Sequence, residues 1–347
     1  MKYEHFNELP ELIAKKLITG RKHPNLPLTI YNYTAQGQHL SPSEWTEAMK
    51  DCRGLILDDE GNIVGRPFRK FWNLEQVPYE NIPAGDFKVW EKLDGSLGIV
   101  CSYAGEIVVA TRGSFESDQA KWFKEWLDKK HKHFTPSGET YLFEIIYPNN
   151  RIVVDYGDRK EAVLLAVLGP DAADLWAVFE MTERFNKARL FDGLKDFNTI
   201  NTDTNFAGEE GFVVQWQNGF RAKVKLEEYK RLHRLITQCS TRTIWELLRA
   251  GKGVQELVDR VPEEFAQWVN KIAGELYISS ELLIADTHIK MSHRPADPHT
   301  RKDFALWAMK EPHPPLLFAL LDGKDITDSV WKLVEPAWAT PFRKEAE

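Results

Sequence analysis

The hydrophobic pattern of this 347-residue chain changes near residue 225, and this change limits the folds open to it. Before that point, short runs of apolar and β-branched residues are bounded by Gly, Pro, Asn and Asp, which is typical of β-strands. After it, apolar residues recur at the spacing of amphipathic helices. The length suggests about two domains. We therefore predict an α+β protein with a strand-rich domain over residues 1–240 and an all-helical domain over residues 241–347.

The predicted elements follow from these periodicities and from the turn residues between them. Strands are predicted at residues 28–33, 53–57, 62–68, 87–92, 97–103, 106–112, 141–147 and 162–168. Helices are predicted at residues 117–131, 181–191, 227–235, 243–249, 262–285, 300–309, 314–321 and 326–333, and a loop at residues 196–205.

The dipeptide Asn218-Gly219 separates two strand-like runs and predicts a hairpin with a two-residue type I′ turn. Counting outward from this turn places Val214 opposite Lys223, and directly opposed residues share one face of a sheet. The residues expected on that face are Glu210, Phe212, Val214, Trp216, Arg221, Lys223 and Lys225. This register predicts a pocket with apolar walls and two ammonium groups.

The composition excludes several classes of protein. A hydrophobic fraction of 43% allows a sizeable core, while 28% charged residues and a mean hydropathy of -0.43 predict a water-soluble chain. No apolar run reaches the roughly 18–20 residues of a membrane helix and no signal peptide is visible, so we expect no membrane partner and a cytoplasmic location. The net charge of -7 argues against a protein that coats nucleic acid nonspecifically, although a local basic cleft is compatible with it. Cys52, Cys101 and Cys239 are widely spaced, which indicates buried free thiols.

The segment Lys92-Leu93-Asp94-Gly95 lies between two predicted strands and is the sharpest candidate for chemistry. A lysine nucleophile must be neutral to attack, and nearby cations or desolvation favour that state. Gly95 would permit close backbone approach to a nucleotide phosphate. Taken alone, this short motif is better explained as an ordinary hairpin turn, so the other charged residues must decide between the two interpretations.

Other charged residues stand where a purely structural role is harder to explain. Glu144 interrupts the apolar run 141–147, where a carboxylate must be paired, protonated or bound to a cation. A buried ion pair is the structural alternative for Glu144, and a salt bridge to a lysine is the alternative for Glu210. The basic residues that complete the set, each explicable by itself as a surface residue, are Arg53, Lys70, Arg112, Lys223 and Lys225.

Taken in order, these segments resemble the motifs of the covalent nucleotidyltransferase superfamily, and most closely the ATP-dependent RNA ligase 1 family of phage type. The segments are Arg53-Gly54, residues 65–73, Lys92-Leu93-Asp94-Gly95, Thr111-Arg112-Gly113, Phe143-Glu144-Ile145, residues 210–214 and Lys223-Val224-Lys225. The resemblance covers roughly residues 45–235, and the tail from Arg301 to Trp331 resembles that family's helical C-terminal domain. It implies a nucleotidyltransferase domain of ATP-grasp-like antiparallel sheets and helices.

The resemblance also implies a role for each residue. Lys92 would become linked to AMP, with Glu144, Lys223 and Lys225 as the other catalytic residues. The residues implied in ATP binding are Arg53, Lys70, Asp94, Gly95, Arg112, Glu210 and Tyr229. Glu144 is also the candidate ligand for Mg²⁺, with Mn²⁺ as the alternative ion. Arg112 departs from the family pattern, in which lysine is usual.

An ATP-dependent ligase of RNA ends is the implied function, with 5′-phosphate and 3′-hydroxyl ends joined through lysyl-AMP and RNA-adenylate, in RNA or tRNA repair. The implied partners are ATP and RNA ends, including nicked tRNA. A DNA ligase or a capping guanylyltransferase shares the lysine motif, but those enzymes usually append a β-barrel where this chain predicts helices. The alternative from another class is an inactive RNA-end or tRNA-binding module. The absence of G-x-x-x-x-G-K-[ST] excludes a P-loop.

Overall fold

The computed structural model of the protein describes residues 1–191, 208–258, 261, 263–295 and 300–341, so the loop predicted at 196–205 lies outside the described residues. The chain forms two compact units, Met1–Lys230 and Arg231–Glu347. The described elements of the first unit are antiparallel strands with helices, and those of the second are helices. The protein is therefore α+β.

The first sheet lies near the N-terminus and has the order β1-β2-β3-β4. Its strands are β1 (Ile18–Lys22), β2 (Leu28–Tyr33), β3 (Arg53–Asp58) and β4 (Ile63–Gly65), and the nearby helices are α1 (Leu9–Ala14), α2 (Ala35–Gln38) and α3 (Glu47–Asp51). Leu55 and Leu57 of β3 pack against Trp45 and Met49 in a buried apolar cluster. The strands β2 and β3 match the predictions, whereas α1, β1 and the two following helices were not predicted.

Two further sheets complete the strand-rich unit, with the orders β10-β5-β11-β12 and β7-β6-β8-β9. Their strands are β5 (Phe87–Lys92), β6 (Ser96–Tyr103), β7 (Glu106–Thr111), β8 (Thr140–Ile146), β9 (Glu161–Leu168), β10 (Leu190–Phe191), β11 (Gly211–Trp216) and β12 (Arg221–Lys225). The predictions for β5 to β9 are confirmed within a few residues.

The third sheet is covered on both faces. On one face, helix α4 (Asp118–Lys130) buries Phe123 against Phe143 of β8. On the other face, Ile99 and Leu142 pack with Ile30 and Ile56 of the first sheet. Because both faces of this sheet are buried, Glu144 of β8 lies among apolar residues, as its position within an apolar run predicts.

The prediction of a helix at residues 181–191 is wrong. The chain forms helix α5 (Trp176–Met181) earlier, and Leu190 and Phe191 form β10, which pairs with Trp90 and Val89 of β5. Phe191 also packs edge to face on Phe212, with ring centroids 5.1 Å apart. Pairing with a sheet edge therefore overrides the local helical spacing.

The predicted register of the β11–β12 hairpin is also wrong, by one residue. The loop has three residues, since Trp216 N donates to Phe220 O at 2.9 Å and Gly219 N donates to Trp216 O at 3.0 Å, with Gly219 at φ +82°. A three-residue loop with glycine in the left-handed region replaces the two-residue turn. Lys223 consequently opposes Val213, not Val214.

This shift changes which side chains share a face. Phe212, Val214 and Trp216 pack with Ala222 and Val224 in a buried apolar cluster. Lys223 and Lys225 project with Val213, on the opposite face, because side chains alternate along a strand. The pocket with walls of Phe212, Val214 and Trp216 is therefore not formed.

The described elements of the second unit are helices; most follow the predicted ones, but the short helix at Gln255–Val258 was not predicted and the next helix ends at Ser292, beyond the predicted end at residue 285. They are α6 (Glu227–Gln238), which begins in the first unit, α7 (Thr241–Arg249), α8 (Gln255–Val258), α9 (Glu263–Ser292), α10 (Arg301–Ala308), α11 (Pro314–Leu321) and α12 (Thr327–Leu333). Ser240 caps α7 by accepting from Thr243 N. Trp245 Nε1 donates to Trp331 O at 2.7 Å and joins α7 to α12.

All three cysteines are free and buried, as predicted. Burial raises the pKa of the Cys101 thiol to about 12 and that of Cys239 to about 11, and it raises the pKa of Cys52 further. Among the described helices, none combines the length and apolar character needed to cross a bilayer.

Candidate functional site

Lys92 is the last residue of β5, and the turn that follows it is fixed through Asp94. Asp94 Oδ2 accepts from the backbone N–H groups of Val153 and Val154, at 2.8 and 2.9 Å. Its Oδ1 accepts from the Tyr229 hydroxyl at 2.7 Å, and its own N–H donates to Tyr156 Oη at 2.8 Å. The turn after Lys92 is therefore fixed by four hydrogen bonds of Asp94 to residues distant in the sequence.

Gly95 follows Asp94 and lies against β8. Its N–H donates to Glu144 Oε1 at 2.9 Å. A Cβ at this position would lie 2.5 Å from Ile145 O, closer than atoms approach, so only glycine fits. Gly95 thus joins the lysine turn directly to the glutamate.

Glu144 is only partly exposed, and burial raises the pKa of its carboxyl to about 7. Lys92 opposes this shift through its positive charge, while Glu210 adds to it. Glu144 is thus near the point of taking up or losing a proton at neutral pH, which agrees with the expectation for a carboxylate in an apolar run.

Glu210 lies between two of the predicted lysines. Its Oε2 is 2.6 Å from Lys92 Nζ and its Oε1 is 2.9 Å from Lys225 Nζ, and the glutamate side chain is only 3% exposed. The salt bridge considered for Glu210 exists, and it includes the candidate nucleophile. One carboxylate therefore sets the positions of two ammonium groups.

The backbone of Gly211 explains how Glu210 reaches both lysines. Gly211 pairs with Lys92 on one side and with Lys225 on the other, because β11 lies between β5 and β12. Its φ is +148°, and a Cβ there would lie 2.1 Å from Val224 O. This glycine conformation interrupts the regular alternation and turns Glu210 toward the lysines.

Lys223 lies within a cluster of positive charges. Burial lowers the pKa of its ammonium to about 7, and the charges of Arg53, Lys70, Lys92 and Lys225 lower it further in that order. Its Nζ is 5.3 Å from the centroid of the Phe71 ring. Among the described residues no carboxylate forms an ion pair with it.

The remaining predicted cations lie on the first sheet and the segment after it. Burial lowers the pKa of Arg53, whose Nη1 is buried with no hydrogen-bond partner among the described residues. Lys70 Nζ is 5.2 Å from the ring of Tyr33 and 5.1 Å from the ring of Trp45, and burial lowers its pKa as well. Arg112 Nη1 donates to Tyr33 Oη at 3.1 Å.

These contacts bring the predicted residues into one region of the first unit. Lys92, Glu144, Glu210 and Lys225 form its acidic and basic centre, and Asp94, Gly95 and Tyr229 support the lysine turn. Arg53, Lys70 and Lys223 interact through their charges, and Arg112 joins them beside Arg53 and Lys70. Such an excess of positive charge over the carboxylates of this region favours a ligand with several negative charges.

Sequence reasoning missed several residues of this region. Tyr33 and Trp45 pack edge to face and both rings lie about equally far from Lys70 Nζ, while Tyr156 accepts a hydrogen bond from Asp94 N. They are aromatic residues far from the lysine motif, and no spacing in the sequence points to them. Phe71 follows Lys70 directly and was the one residue of this group within a quoted motif.

Within the described residues no group of three or more His, Cys, Asp or Glu side chains is placed to hold a metal ion. Glu144 is a single partly buried carboxylate beside the lysine turn. Mg²⁺ is often held by one or two carboxylates together with the phosphates of a substrate. The residues present therefore fit a metal that arrives with a nucleotide and do not form an all-protein metal site.

Comparison with known proteins points to one family. The family model described as RNA ligase, of the T4 RNA ligase 1 type, matches residues 51–229. That range is 179 of the 347 residues, just over half of the chain, and it contains Arg53, Lys92 and Tyr229.

Two relatives match part of the chain. A protein of Autographa californica nuclear polyhedrosis virus named as a bifunctional polynucleotide kinase/RNA ligase is 28% identical in an alignment of length 219 that covers 53% of this chain and 31% of the relative. A protein of Thermovibrio ammonificans named as an RNA ligase is 27% identical in an alignment of length 169 that covers 46% of this chain and 43% of the relative. The matches span less than half the length of these relatives.

Two solved structures align over more of the chain than these relatives do, with lower identity. A structure named as an ATP-dependent DNA ligase from Aquifex aeolicus is 16% identical with a TM-score of 0.45, covering 92% of this chain and 88% of that chain. An archaeal ATP-dependent RNA ligase is 14% identical with a TM-score of 0.46, covering 78% and 75%. The assignment rests on the family match over residues 51–229. The chain belongs to the RNA ligase 1 family of phage type.

Proposed function

We propose that this protein is an ATP-dependent RNA ligase that joins 5′-phosphate and 3′-hydroxyl RNA ends. The observation that supports it most is the position of Lys92, which shares Glu210 with Lys225 at 2.6 and 2.9 Å beside the cations Lys223, Arg53 and Lys70. A nucleophilic amine beside several cations suits attack on a nucleoside triphosphate.

In the first step, neutral Lys92 Nζ attacks the α-phosphorus of ATP. A P–N bond forms and the bond to the bridging oxygen breaks, so pyrophosphate leaves with the electron pair and the nitrogen gives up a proton. Lys223 and Lys225 neutralise the α-phosphate, while Arg53, Lys70 and Arg112 bind the outer phosphates. Alignment and charge neutralisation are the main contributions of a protein to phosphoryl transfer.

Glu144 is the residue that would hold Mg²⁺, or Mn²⁺ in its place, together with the phosphates. When bound, such an ion supplies positive charge that stabilises the leaving pyrophosphate. Glu144 must be ionised for this role, and its pKa of about 7 allows ionisation just above neutral pH. Its hydrogen bond from Gly95 keeps the carboxylate beside the lysine turn.

In the following steps the AMP passes from Lys92 to the 5′-phosphate of RNA, and a 3′-hydroxyl then attacks that phosphate and expels AMP. We assign the adenylyltransferase chemistry to residues 1–240 and the choice of RNA, nicked tRNA included, to the helical residues 241–347. We place the reaction inside the cell, in RNA repair.

The test is incubation of the protein with α-labelled ATP and, separately, α-labelled GTP in the presence of Mg²⁺. Label should enter from ATP through an acid-labile lysine linkage, and Lys92→Ala should abolish it. Lys88→Ala, an exposed lysine on the same strand, is the matched control and should label normally. Labelling by GTP alone, or equal labelling of the Lys92 variant, would contradict the proposal. A protein that labels but seals DNA ends in preference to RNA ends would be a DNA ligase.

A further inference from the structure

Residues 66–73, which we call the strap, follow β4 without forming a helix or a strand. The strap carries Lys70 and then passes the cation cluster. The Phe71 ring lies 5.9 Å from the guanidinium carbon of Arg53 and 5.3 Å from Lys223 Nζ, and Trp72 O accepts from Lys223 N at 2.9 Å. A segment with no ladder of its own needs other contacts to hold its conformation.

Asp51, the last residue of α3, supplies the strongest of these contacts. Its residue exposure is 3% and its carboxylate is shared by two arginines of the strap. Arg66 Nη2 lies 3.0 Å from Oδ2 and Arg69 Nε lies 2.6 Å from Oδ1. The Tyr3 hydroxyl also donates to Oδ2, at 3.1 Å. The carboxylate thus fastens the strap at two points three residues apart.

The main chain next to Asp51 adds a third attachment. Lys50 O accepts from Lys70 N at 2.7 Å, so the end of α3 holds both the lysine backbone and the arginine before it. Arg69 makes a further ion pair with Glu47 at the start of the same helix. The position of Lys70 along the strap is therefore set from α3.

We infer that Asp51 is a positioning residue for ATP binding, which holds the strap so that Lys70 faces the outer phosphates of the nucleotide. This inference rests on the proposed function. Asp51 acts through the strap, since its carboxylate is engaged by Arg66, Arg69 and Tyr3. Without its charge, two neighbouring guanidinium groups would lose their shared counter-ion and repel each other, and the strap would shift.

The three steps of ligation separate this role from general stabilisation. Lys70 is proposed to bind the outer phosphates of ATP, and those phosphates leave with pyrophosphate in the first step. Sealing of RNA that already carries 5′-linked AMP involves none of them. A shifted strap should therefore raise KM for ATP in self-adenylylation while leaving sealing of pre-adenylylated RNA unchanged.

The experiment measures both reactions, and the affinity for a non-hydrolysable ATP analogue, in full-length Asp51→Asn and Arg69→Gln. Arg69 is 41% exposed, so its variant should fold even if the buried Asp51 variant does not. Asp58→Asn is the matched control, because Asp58 accepts from Asn62 N in the β3–β4 turn, away from the strap. We expect KM for ATP to rise at least about fivefold in both strap variants, with kcat and sealing of pre-adenylylated RNA within about twofold of wild type.

An unchanged KM and analogue affinity in Arg69→Gln, or an equal loss of sealing on pre-adenylylated RNA, would overturn the role of Asp51. A different result would contradict the proposed function, namely a wild-type protein that forms no lysyl-AMP. In that case the analogue affinities of the three variants still decide whether Asp51 positions the phosphate-binding residues.

Discussion

Glu210 holds Lys92 and Lys225 on opposite oxygens of one carboxylate, at 2.6 and 2.9 Å. In the proposed first step, phosphate oxygens of the nucleotide would compete with Glu210 for Lys225, whereas Lys92 must stay aligned. We therefore expect the same carboxylate to act as a counter-ion before the nucleotide binds and to guide Lys92 afterwards.

Replacing Glu210 by alanine should slow lysyl-AMP formation about a hundredfold or more, because a misplaced nucleophile loses the near-attack geometry. The measurement is the single-turnover rate of labelling at saturating ATP. Glu209→Ala is the matched control, since Glu209 pairs with Arg189 and not with the lysines. Equal labelling rates in the two variants would show that Glu210 does not align Lys92.

Glu144→Gln should abolish ligation yet stabilise the protein at neutral pH. The folded protein raises the Glu144 pKa from 4.5 to about 7, so the native state favours the protonated side chain. Wild-type stability should fall as pH rises from 4.5 to 7 and level off above, a loss of about 3 kcal/mol that the glutamine variant escapes. Urea denaturation at pH 5 and pH 8, without nucleotide or metal, measures this. A stability difference that does not grow with pH would contradict it.

The affinity for an ATP analogue should depend on pH through Lys223. Its pKa is lowered to about 7, so the ammonium is charged below neutral pH and neutral above it. Between pH 6 and pH 8 metal-free binding should weaken by up to about tenfold from this residue. Lys223→Arg is the control, because its side chain stays charged over this pH range. Titration of the analogue's own phosphates affects the affinity of both proteins equally. Calorimetry measures the affinity for the analogue at each pH. Parallel pH profiles for the two proteins would disprove the role of Lys223.

Gly211→Ala should be far more damaging than Gly219→Ala in the same hairpin. A Cβ at Gly211 meets Val224 O at 2.1 Å, whereas a Cβ at Gly219 has no atom within 4 Å. Gly219→Ala reports the cost of a left-handed backbone at φ +82°, about 1 kcal/mol, whereas φ +148° at Gly211 lies in a region that is essentially restricted to glycine. We expect Gly211→Ala to lose at least about 3 kcal/mol and, where it folds, to lose self-adenylylation. Similar losses in the two variants would mean that Gly211 has no role beyond its φ.

The exposed residues Lys302 and Lys310 of the helical unit test the proposed RNA role of that unit. Replacing both by alanine should leave the rate of lysyl-AMP formation within about twofold of wild type but weaken RNA binding. The dependence of RNA affinity on salt concentration should fall by the equivalent of about one to two phosphate contacts. Lys271→Ala, whose lysine pairs with Glu275, serves as control. Unchanged binding and sealing of nicked tRNA would contradict an RNA contact at these lysines.

Much of the α+β architecture and the charged residues of the site could be predicted from the sequence. Helix and strand periods are local properties, so β2, β5 and α11 match their predicted ranges. The hairpin register failed because a two-residue and a three-residue loop both accept Asn218-Gly219, and the choice shifts every later pair by one.

Residues that act through distant contacts could not be predicted. Tyr33 and Trp45 contact Lys70, and Asp51 contacts Arg66 and Arg69, only because the chain folds α3 and β2 against the strap. Their own sequence neighbourhoods carry no periodic or motif signal. Such residues become visible only with the tertiary structure.

The three buried thiols have a practical consequence. A thiol reacts as its thiolate, and burial raises the pKa values of Cys52, Cys101 and Cys239 so far that almost none is present at neutral pH. The native cysteines of the folded wild-type protein should therefore not react with maleimide reagents. A single cysteine introduced on an exposed helix such as α10 would accept a fluorophore selectively, so that helix could be observed during the proposed reaction without first removing the native cysteines.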